Sequence, residues 1–253
     1  MRTPHRQGHT RWTKLPLVFA VGTLSAAMLA ACGSDTTTDT TDGSAGPSSP
    51  AAASATPTTT DALSGRIVGA EDAPEGLTHE DFYAMFGSTE ETPKDTINPP
   101  ECEPLIFDSH TMFNWGSQAR STTAVSMYNS ADGHQTAFIK IEEDAARPVP
   151  DAGACATVTT ENTSTLGTSR TTYAIAPKEL PIEGADTVVA VDQNLQGLTL
   201  DDADMSGARA GERTTVVIAQ AHGHTITAVG TGDIPDQAIT DLVNKQMGMR
   251  TFC

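Results

Sequence analysis

The stretch TTVVIAQAHGHTITAVG, residues 214–230, decides the fold of this chain. It contains two runs rich in β-branched residues, 214–220 and 225–230, separated by Ala-His-Gly-His. β-branched residues favour strands, and a short glycine-containing break between two such runs is typical of a hairpin. We therefore predict two neighbouring antiparallel strands near the centre of a sheet.

More strands precede this hairpin. Residues 187–192 (TVVAVD) form another β-branched run, which predicts a further central strand. A turn with Asp132-Gly133 lies between two further strand-like segments, and a polar turn at Gly167 lies between two others. These four predicted strands are residues 122–128, 136–141, 156–161 and 170–176.

A helix is predicted to begin before Phe82. Thr78 can cap it, Asp81 then occupies the third helical position, and Leu77 can pack on Phe82 as a hydrophobic staple. Gly87 is expected to end this helix.

A second helix is predicted at the other end of the chain. Pro235 suits a first helical turn, and an apolar stripe follows it. The stripe consists of Ala238, Ile239, Leu242, Val243 and Met247. The order of these elements along the chain, a helix, then antiparallel strands, then a helix, predicts an α+β fold. We expect a twisted antiparallel β-sheet with its N-terminal and C-terminal helices packed on one face.

The first 31 residues are typical of a lipoprotein signal peptide. Four basic residues precede an uncharged, mostly apolar run, which ends in the lipobox-like sequence Leu29-Ala-Ala-Cys32-Gly33. We predict acylation of Cys32, for example with palmitate, and a lipid anchor on the extracytoplasmic face of the cell membrane. Two alternatives are an ordinary secretory signal with a chance cysteine and a retained membrane anchor.

Residues 32–65 are predicted to be a disordered tether, and residues 66–253 a single domain. The tether consists almost wholly of Thr, Ser, Ala, Asp, Pro and Gly, which cannot bury enough apolar surface to fold. Four of the 15 basic residues and none of the 32 acidic ones precede Cys32, so a chain that starts there carries −21. This charge argues against nucleic acid as a partner.

The segment RIVGAEDAPEG, residues 66–76, resembles the new amino terminus of an activated trypsin-type protease. A protease would also need a histidine base and a serine next to an oxyanion hole. The Gly-Asp at residues 232–233 is followed by Ile234 rather than serine, and the sequence contains no G-x-S-x-G, Walker or C-x-x-C motif. We therefore predict that the chain is not an enzyme and takes no cofactor. The segment is interpreted as the point where the tether becomes the domain.

Two sequence patterns partly match known metal-binding motifs. Residues 202–207 (DADMSG) match the first half of a calcium loop, but Arg213 stands where a bidentate glutamate is required. His222 and His224 could offer two imidazoles, although no third ligand is evident nearby. We interpret the first as an acidic surface loop and the second as a hairpin tip, and we assign no metal site.

Several segments, taken in order, carry a resemblance to a known family. They are PPECEPL (99–105), NWGS (114–117), a second cysteine that follows Pro150, the late hairpin, and the helix DQAITDLVNKQM (236–247). In this order they resemble the PknH-type extracellular sensor domain, found on mycobacterial serine/threonine kinases and as free-standing actinobacterial lipoproteins. The resemblance implies an α+β sensor fold with a solvent-facing cleft, a ligand that is not defined, and no known catalytic activity.

The chain departs from that family at two points. The helix that usually follows the second strand shrinks to EEDAARPVPDAGA (142–154), and a second cysteine pair, expected near Arg213 and Gly230, is absent.

With Cys32 assigned to lipid, Cys102, Cys155 and Cys253 allow three single bridges in an oxidising compartment. The family resemblance favours Cys102–Cys155. A bridge from Cys253 to either of the others remains an alternative.

The resulting functional hypothesis is a lipid-anchored protein whose domain binds an envelope lipid, glycan or protein. The exposed side of the sheet is its expected working surface, with Trp115, Tyr128 and Tyr173 as candidate ligand-binding residues. The alternative is a structural or assembly role, in which the domain docks onto an envelope protein. An open pocket with convergent polar groups would favour the first, and a flat apolar patch the second.

Overall fold

The computed structural model describes residues 63–87, 95–143, 148–164, 167–209 and 211–249. The predicted signal peptide, Cys32, nearly all of the predicted tether and Cys253 lie outside these ranges. No helix in the described part of the chain is long and apolar enough to span a membrane.

Strands and helices alternate irregularly along the described chain. The strands are β1 Leu77–Glu80, β2 Thr96–Asn98, β3 Thr123–Ser130, β4 Thr136–Glu142, β5 Thr157–Ser164, β6 Gly167–Lys178, β7 Thr187–Leu200, β8 Ala203–Asp204, β9 Arg213–Ala221 and β10 His224–Thr231. The helices are α1 Phe82–Phe86, α2 Ser109–Ser117 and α3 Asp236–Gly248.

The strands form one antiparallel sheet in the order β1-β3-β4-β10-β9-β7-β6-β5-β2, with β8 paired to β7. The predicted hairpin is at its centre, where Val217 of β9 pairs with Ala228 of β10. The predicted α+β class is confirmed.

The helices, however, do not share one face of the sheet, so this part of the prediction is wrong. On β9, Val216 and Ile218 contribute to the apolar cluster that contains Phe82 of α1 and Trp115 of α2. Val217 and Ala219 contribute to the cluster that contains Leu242 of α3. Because β9 is apolar on both sides, each side needs a cover. We call the two sides the α2 face and the α3 face.

Helix α3 packs closely on its face of the sheet. Ile239, Leu242 and Val243 are almost completely buried against the sheet. Gly230 of β10 faces them, and a Cβ there would lie 2.8 Å from Cδ1 of Ile239. The close approach of the helix therefore depends on a strand residue without a side chain.

The amino-terminal segment is part of the α3 face. Leu63 and Val68 have no exposed surface, so the packed domain includes Leu63, three residues before the predicted boundary. Val68 N donates to Oε1 of the buried Gln246 (2.9 Å), and Nε2 of Gln246 donates to Arg66 O (2.7 Å). Ser126 Oγ donates to Val68 O (2.7 Å).

The first helix begins later than predicted. Residues 77–80 form β1, which pairs with β3, so Thr78 is not a cap. Asp81 caps the helix instead, since its Oδ1 accepts from Tyr83 N (3.0 Å) and Ala84 N (3.1 Å). Gly87 ends the helix as predicted. Residues 77–80 pair with the outer edge of β3, and this pairing outweighs the capping signal of Thr78.

Strand β7 is longer than the predicted 187–192. Its first part pairs with β9 up to Asn194, and the rest continues beside β6 to Leu200. The sequence did not predict this extension because it begins with the polar segment NLQG (194–197). The extension is held by its pairing with β6.

Cys102 and Cys155 form a disulfide, with a Cα–Cα distance of 5.8 Å, and this prediction is confirmed. The bond joins a 3-10 helix before α2 (Pro100–Leu105) to another before β5 (Ala152–Cys155). It therefore fixes the segments that border the α2 face.

Candidate functional site

A first cavity of about 340 Å³ lies between α2 and the sheet. The sheet contributes Lys140, Val216, Ile218, Gln220, Thr225, Thr227 and Val229, and α2 and the residue after it contribute His110, Thr111, Asn114, Trp115, Ser117 and Gln118. Other lining residues include Asp95, Ile97, Ile106, Phe107, Asp108 and Val149. The volume is within the range of small-molecule pockets.

The floor of this cavity changes from polar to apolar along the strands. At the hairpin end, Thr225 lies between Gln220 and Glu142. The next row contains Thr227, Ile218 and Lys140, and the row after it contains Val229, Val216 and Phe138. A ligand on this floor would meet hydrogen-bonding groups at one end and aliphatic groups at the other.

Lys140 is a buried cation whose partners are already in place. Only 3% of its side chain is exposed, and its Nζ lies 2.9 Å from Oε2 of Glu142. The ammonium also lies 4.8 Å from the centre of the Trp115 ring. An ion pair and a cation–π contact together offset the cost of removing the charge from water.

Helix α2 forms the opposite wall, and its position has identifiable causes. Asp108 caps it, since Oδ1 of Asp108 accepts from Thr111 N (2.9 Å) and Thr111 Oγ1 (3.1 Å). Gly116 lies against α1, where a Cβ would come within 2.3 Å of Phe86 O. The glycine of the Asn-Trp-Gly-Ser segment therefore allows the two helices to touch.

A buried glutamine fixes the chain just before α2. Gln193 of β7 is 3% exposed, and its Oε1 accepts from Phe107 N (2.8 Å) while its Nε2 donates to Phe107 O (2.9 Å). The side-chain amide imitates a strand partner and satisfies both backbone groups of Phe107. The Phe107 ring in turn packs on Trp115 and Phe138.

Asp95, Asp108 and His110 form a polar cluster on one side of the cavity. Nε2 of His110 accepts from Asp95 N (3.4 Å) and contacts Nδ2 of Asn114 at 3.0 Å. The Asp95 carboxylate accepts from Nδ2 of Asn162 (2.5 Å) and lies 3.9 Å from Nδ1 of His110. Burial, with a smaller effect from neighbouring Asp108, raises the pKa of Asp95.

The same cluster borders a second cavity of about 520 Å³. Asp95, Phe107, Asp108 and His110 line both cavities. The second is otherwise rich in hydroxyl and amide groups, from Thr160, Asn162, Ser169, Thr171, Gln193 and Thr214. Tyr173 lines it too, and burial raises the pKa of this phenol.

The three predicted ligand-binding residues are not in one place. Trp115 lines the first cavity and Tyr173 the second. Tyr128 is completely buried on the α3 face, where its hydroxyl is shared between Val68 O (3.1 Å) and Gly69 O (3.0 Å). Burial raises the pKa of Tyr128 to about 12. Its contacts hold the amino-terminal segment in place.

The calcium-like loop uses its polar groups internally. Oδ1 of Asp204 accepts from Ser206 N (2.9 Å), which lowers the pKa of Asp204, and Ser206 Oγ accepts from Leu198 N (2.9 Å). At the hairpin tip, Nδ1 of His224 lies 3.0 Å from His222 O. Within the described ranges, no three His, Cys, Asp or Glu side chains converge as a metal site requires.

The sequence reasoning missed most of the first cavity. Lys140, Thr225 and Thr227 alternate with core residues on β4 and β10, so polar side chains at inward positions were the available signal. The α2 residues were missed because residues 109–117 were not predicted as a helix.

No protein-family model and no curated protein matches this chain. Three chains of solved structures do match, and among them are the following two. The extracellular domain of PknH from Mycobacterium tuberculosis is 15% identical with a TM-score of 0.40, and the match covers 73% of this chain and 94% of that one. The Rv0999 ortholog of Mycobacterium smegmatis, described as uncharacterized, is 11% identical with a TM-score of 0.37, covering 69% and 85%. The first is the kind of domain that the sequence was predicted to resemble.

Proposed function

We propose that this chain is a lipid-anchored extracytoplasmic protein whose domain binds a small molecule of the cell envelope in the first cavity. The domain acts as a sensor-like binding module, and Cys32 carries the anchor. The lipobox-like sequence at Leu29–Gly33 supports the anchor. The Cys102–Cys155 disulfide supports an oxidising compartment.

The first cavity is the observation that carries the proposal. Its floor has polar and apolar ends, its α2 wall presents hydroxyl and amide groups, and its volume is about 340 Å³. A concavity that combines apolar side chains with placed hydrogen-bonding groups is a usual form of a small-molecule site.

We propose binding rather than catalysis for this site. His110 is the candidate base in the first cavity, but a backbone N–H can only donate, so the Asp95 N–H already occupies the Nε2 lone pair. Lys140, the buried amine, is held by Glu142. Both groups therefore support the geometry of the cavity instead of being poised to move a proton.

The surface gives less support to a docking role. Among the described residues, the large hydrophobic side chains that are exposed are Met85 (47%) of α1 and Met205 (53%) after β8. Isolated apolar residues of this kind are normal on a surface, whereas a docking patch needs a contiguous area.

Native mass spectrometry of the protein purified from envelope extract tests the binding proposal. The parent protein should carry a small co-purifying molecule, and Thr227→Trp, which fills the floor, should lose it. Thr163→Trp is the control, because it makes the same change at an exposed strand position. If parent and Thr227→Trp carry the same molecules in the same amounts, the cavity is not the binding site.

The anchor is tested separately with Cys32→Ser in cells. We expect the parent in the membrane fraction with an acyl chain on Cys32, and the variant without that modification. An unmodified Cys32 in the parent would contradict the anchor.

A further inference from the structure

The polar part of the first cavity consists mainly of uncharged groups. Thr225, Thr227 and Gln220 provide it on the sheet, and Thr111, Asn114 and Gln118 on and just after α2. Hydroxyl and amide groups can both donate and accept hydrogen bonds. Such a lining complements a ligand that also donates and accepts at several closely spaced atoms.

Gln118 adds an unpaired hydrogen-bond acceptor to this lining. Its Oε1 is buried and accepts no hydrogen bond from the described residues. Leaving a buried acceptor unpaired costs about 1–3 kcal/mol, which makes this atom a place where a ligand's O–H donor is favoured. Gln118 is one of the residues that line the cavity.

Four Asp, Glu and Lys residues line the cavity; three of them are already matched by the protein, and the fourth, Glu103, is an exposed residue. Lys140 is bonded to Glu142, and the Asp108 carboxylate accepts from Thr111. Asp95 is held by Asn162, whose Nδ2 donates to its carboxylate. An anion would approach these carboxylates without an open cationic partner among the described lining residues, and a cation would have to replace bonds that are already made except at Glu103.

Aliphatic and aromatic side chains complete the lining. Ile218, Val216 and Val229 continue the floor, and Phe107 and Trp115 lie beside it. Sugars combine hydroxyl groups at their edges with C–H surfaces that pack on such side chains. A floor that is polar at one end and apolar at the other fits both features.

We propose that the first cavity binds an uncharged, hydroxyl-rich ligand, a mono- or disaccharide unit of an envelope glycan. The inference rests on the proposed function of this cavity as the ligand site. Gln118 is assigned as a specificity residue that accepts a hydroxyl hydrogen of the sugar.

Fluorescence titration of the full chain tests the proposal. In a Trp12→Phe background, Trp115 is the single tryptophan and reports on the cavity. The probes are a panel of neutral sugars (glucose, galactose, mannose, arabinose and disaccharides of these), with hexanol, hexylamine and inorganic phosphate as other classes. We expect saturable binding of at least one sugar and at least tenfold weaker binding of the other classes.

Gln118→Leu separates recognition from packing. We expect it to weaken sugar binding at least tenfold and to raise the thermal midpoint, because the unpaired acceptor is removed while the apolar volume is kept. Gln196→Leu, at an exposed position of β7, should change neither. A lower midpoint together with lost binding would show that Gln118 supports the fold, and would overturn its assignment.

The remaining outcomes separate this inference from the proposed function. Binding of hexanol, hexylamine or phosphate without any sugar would overturn the saccharide assignment and leave a ligand site in place. If no probe binds and Thr227→Trp carries the same envelope molecules as the parent, both proposals fail.

Discussion

On both faces of the sheet a buried glutamine holds the covering segment, but the two faces differ in how densely they are packed. On each face a buried glutamine bonds to the backbone of a covering segment: Gln193 to Phe107 on the α2 face, and Gln246 to Arg66 and Val68 on the α3 face. The α3 face is filled by aliphatic side chains. The α2 face has a cavity of about 340 Å³ over its floor.

Strand β10 shows where the difference arises. Its residues toward α3 are Ile226, Ala228 and Gly230, two of which are small enough for a helix to approach closely. Toward α2 it presents Thr225, Thr227 and Val229. One strand can therefore support a dense core on one side and an open floor on the other.

The largest effect is expected from the disulfide, which secures the α2 face alone. Replacing Cys102 and Cys155 with serine should lower the free energy of unfolding by about 4 kcal/mol, since the bond closes a loop with a sequence separation of 53. Denaturant unfolding of the parent and the double variant measures this. Hydrogen exchange should rise first on the α2 face. Equal loosening of α3 would contradict the division into two faces.

The glutamines should have comparable effects on stability and different effects on binding. Gln193→Leu and Gln246→Leu each leave two backbone groups without their partner and should cost about 3 kcal/mol. Only Gln193→Leu should also weaken ligand binding, because Phe107 lines the first cavity. Chemical denaturation and binding by the same preparations check both. If Gln246→Leu weakened binding to the same degree, the faces would not be independent.

Adjacent valines of β9 give a matched comparison. Val217→Ala should cost about 2.5 kcal/mol and Val216→Ala about 1.5 kcal/mol, because Val216 borders the cavity and has fewer contacts to lose. Both changes have the same strand propensity cost, since they lie on one strand. Thermal unfolding ranks them. A larger loss at Val216 would mean that the cavity is closed in solution.

The smallest effect is a pH dependence of stability at Asp95. Burial raises the pKa of Asp95 in the folded state, so its stabilising contribution is present below the ordinary value of about 3.9 and is lost as pH rises through the folded pKa. Asp95→Asn should remove this decline in unfolding curves from pH 3 to 7. Asp132→Asn is the control of opposite sign, because hydrogen bonds from Ser130 and His134 lower the pKa of Asp132. If stability still declines with rising pH in Asp95→Asn, the decline belongs to another titratable group.

The central hairpin and α3 could be predicted because their signals are local. Residues 214–230 are β-branched on both sides of a glycine turn, and the stripe from Ala238 to Met247 repeats at helical spacing. The start of α1 could not, because Leu77–Glu80 becomes a strand through pairing with β3, a partner about 50 residues away.

The cavity was the least predictable part. Trp115 was selected for its residue type and does line it, but Tyr128 was selected on the same grounds and packs on the other face. Adjacent positions of a strand face opposite sides, so the strand register decides which polar residues meet. The orientation of Lys140, Thr227 and Gln118 toward one space depends on β4, β10 and α2 together.

The attachment of residues 63–69 has a mechanical consequence. A pull on the chain before Leu63 would act first on the packing of Leu63 and on the bond from Gln246 to Arg66 O, and then on the bonds that join Val68 to Gln246, Ser126 and Tyr128. These groups lie on α3 and β3, and none of them lines either cavity. Force from that end would therefore enter the domain through the α3 face, and strain would reach the cavity only after this attachment had failed.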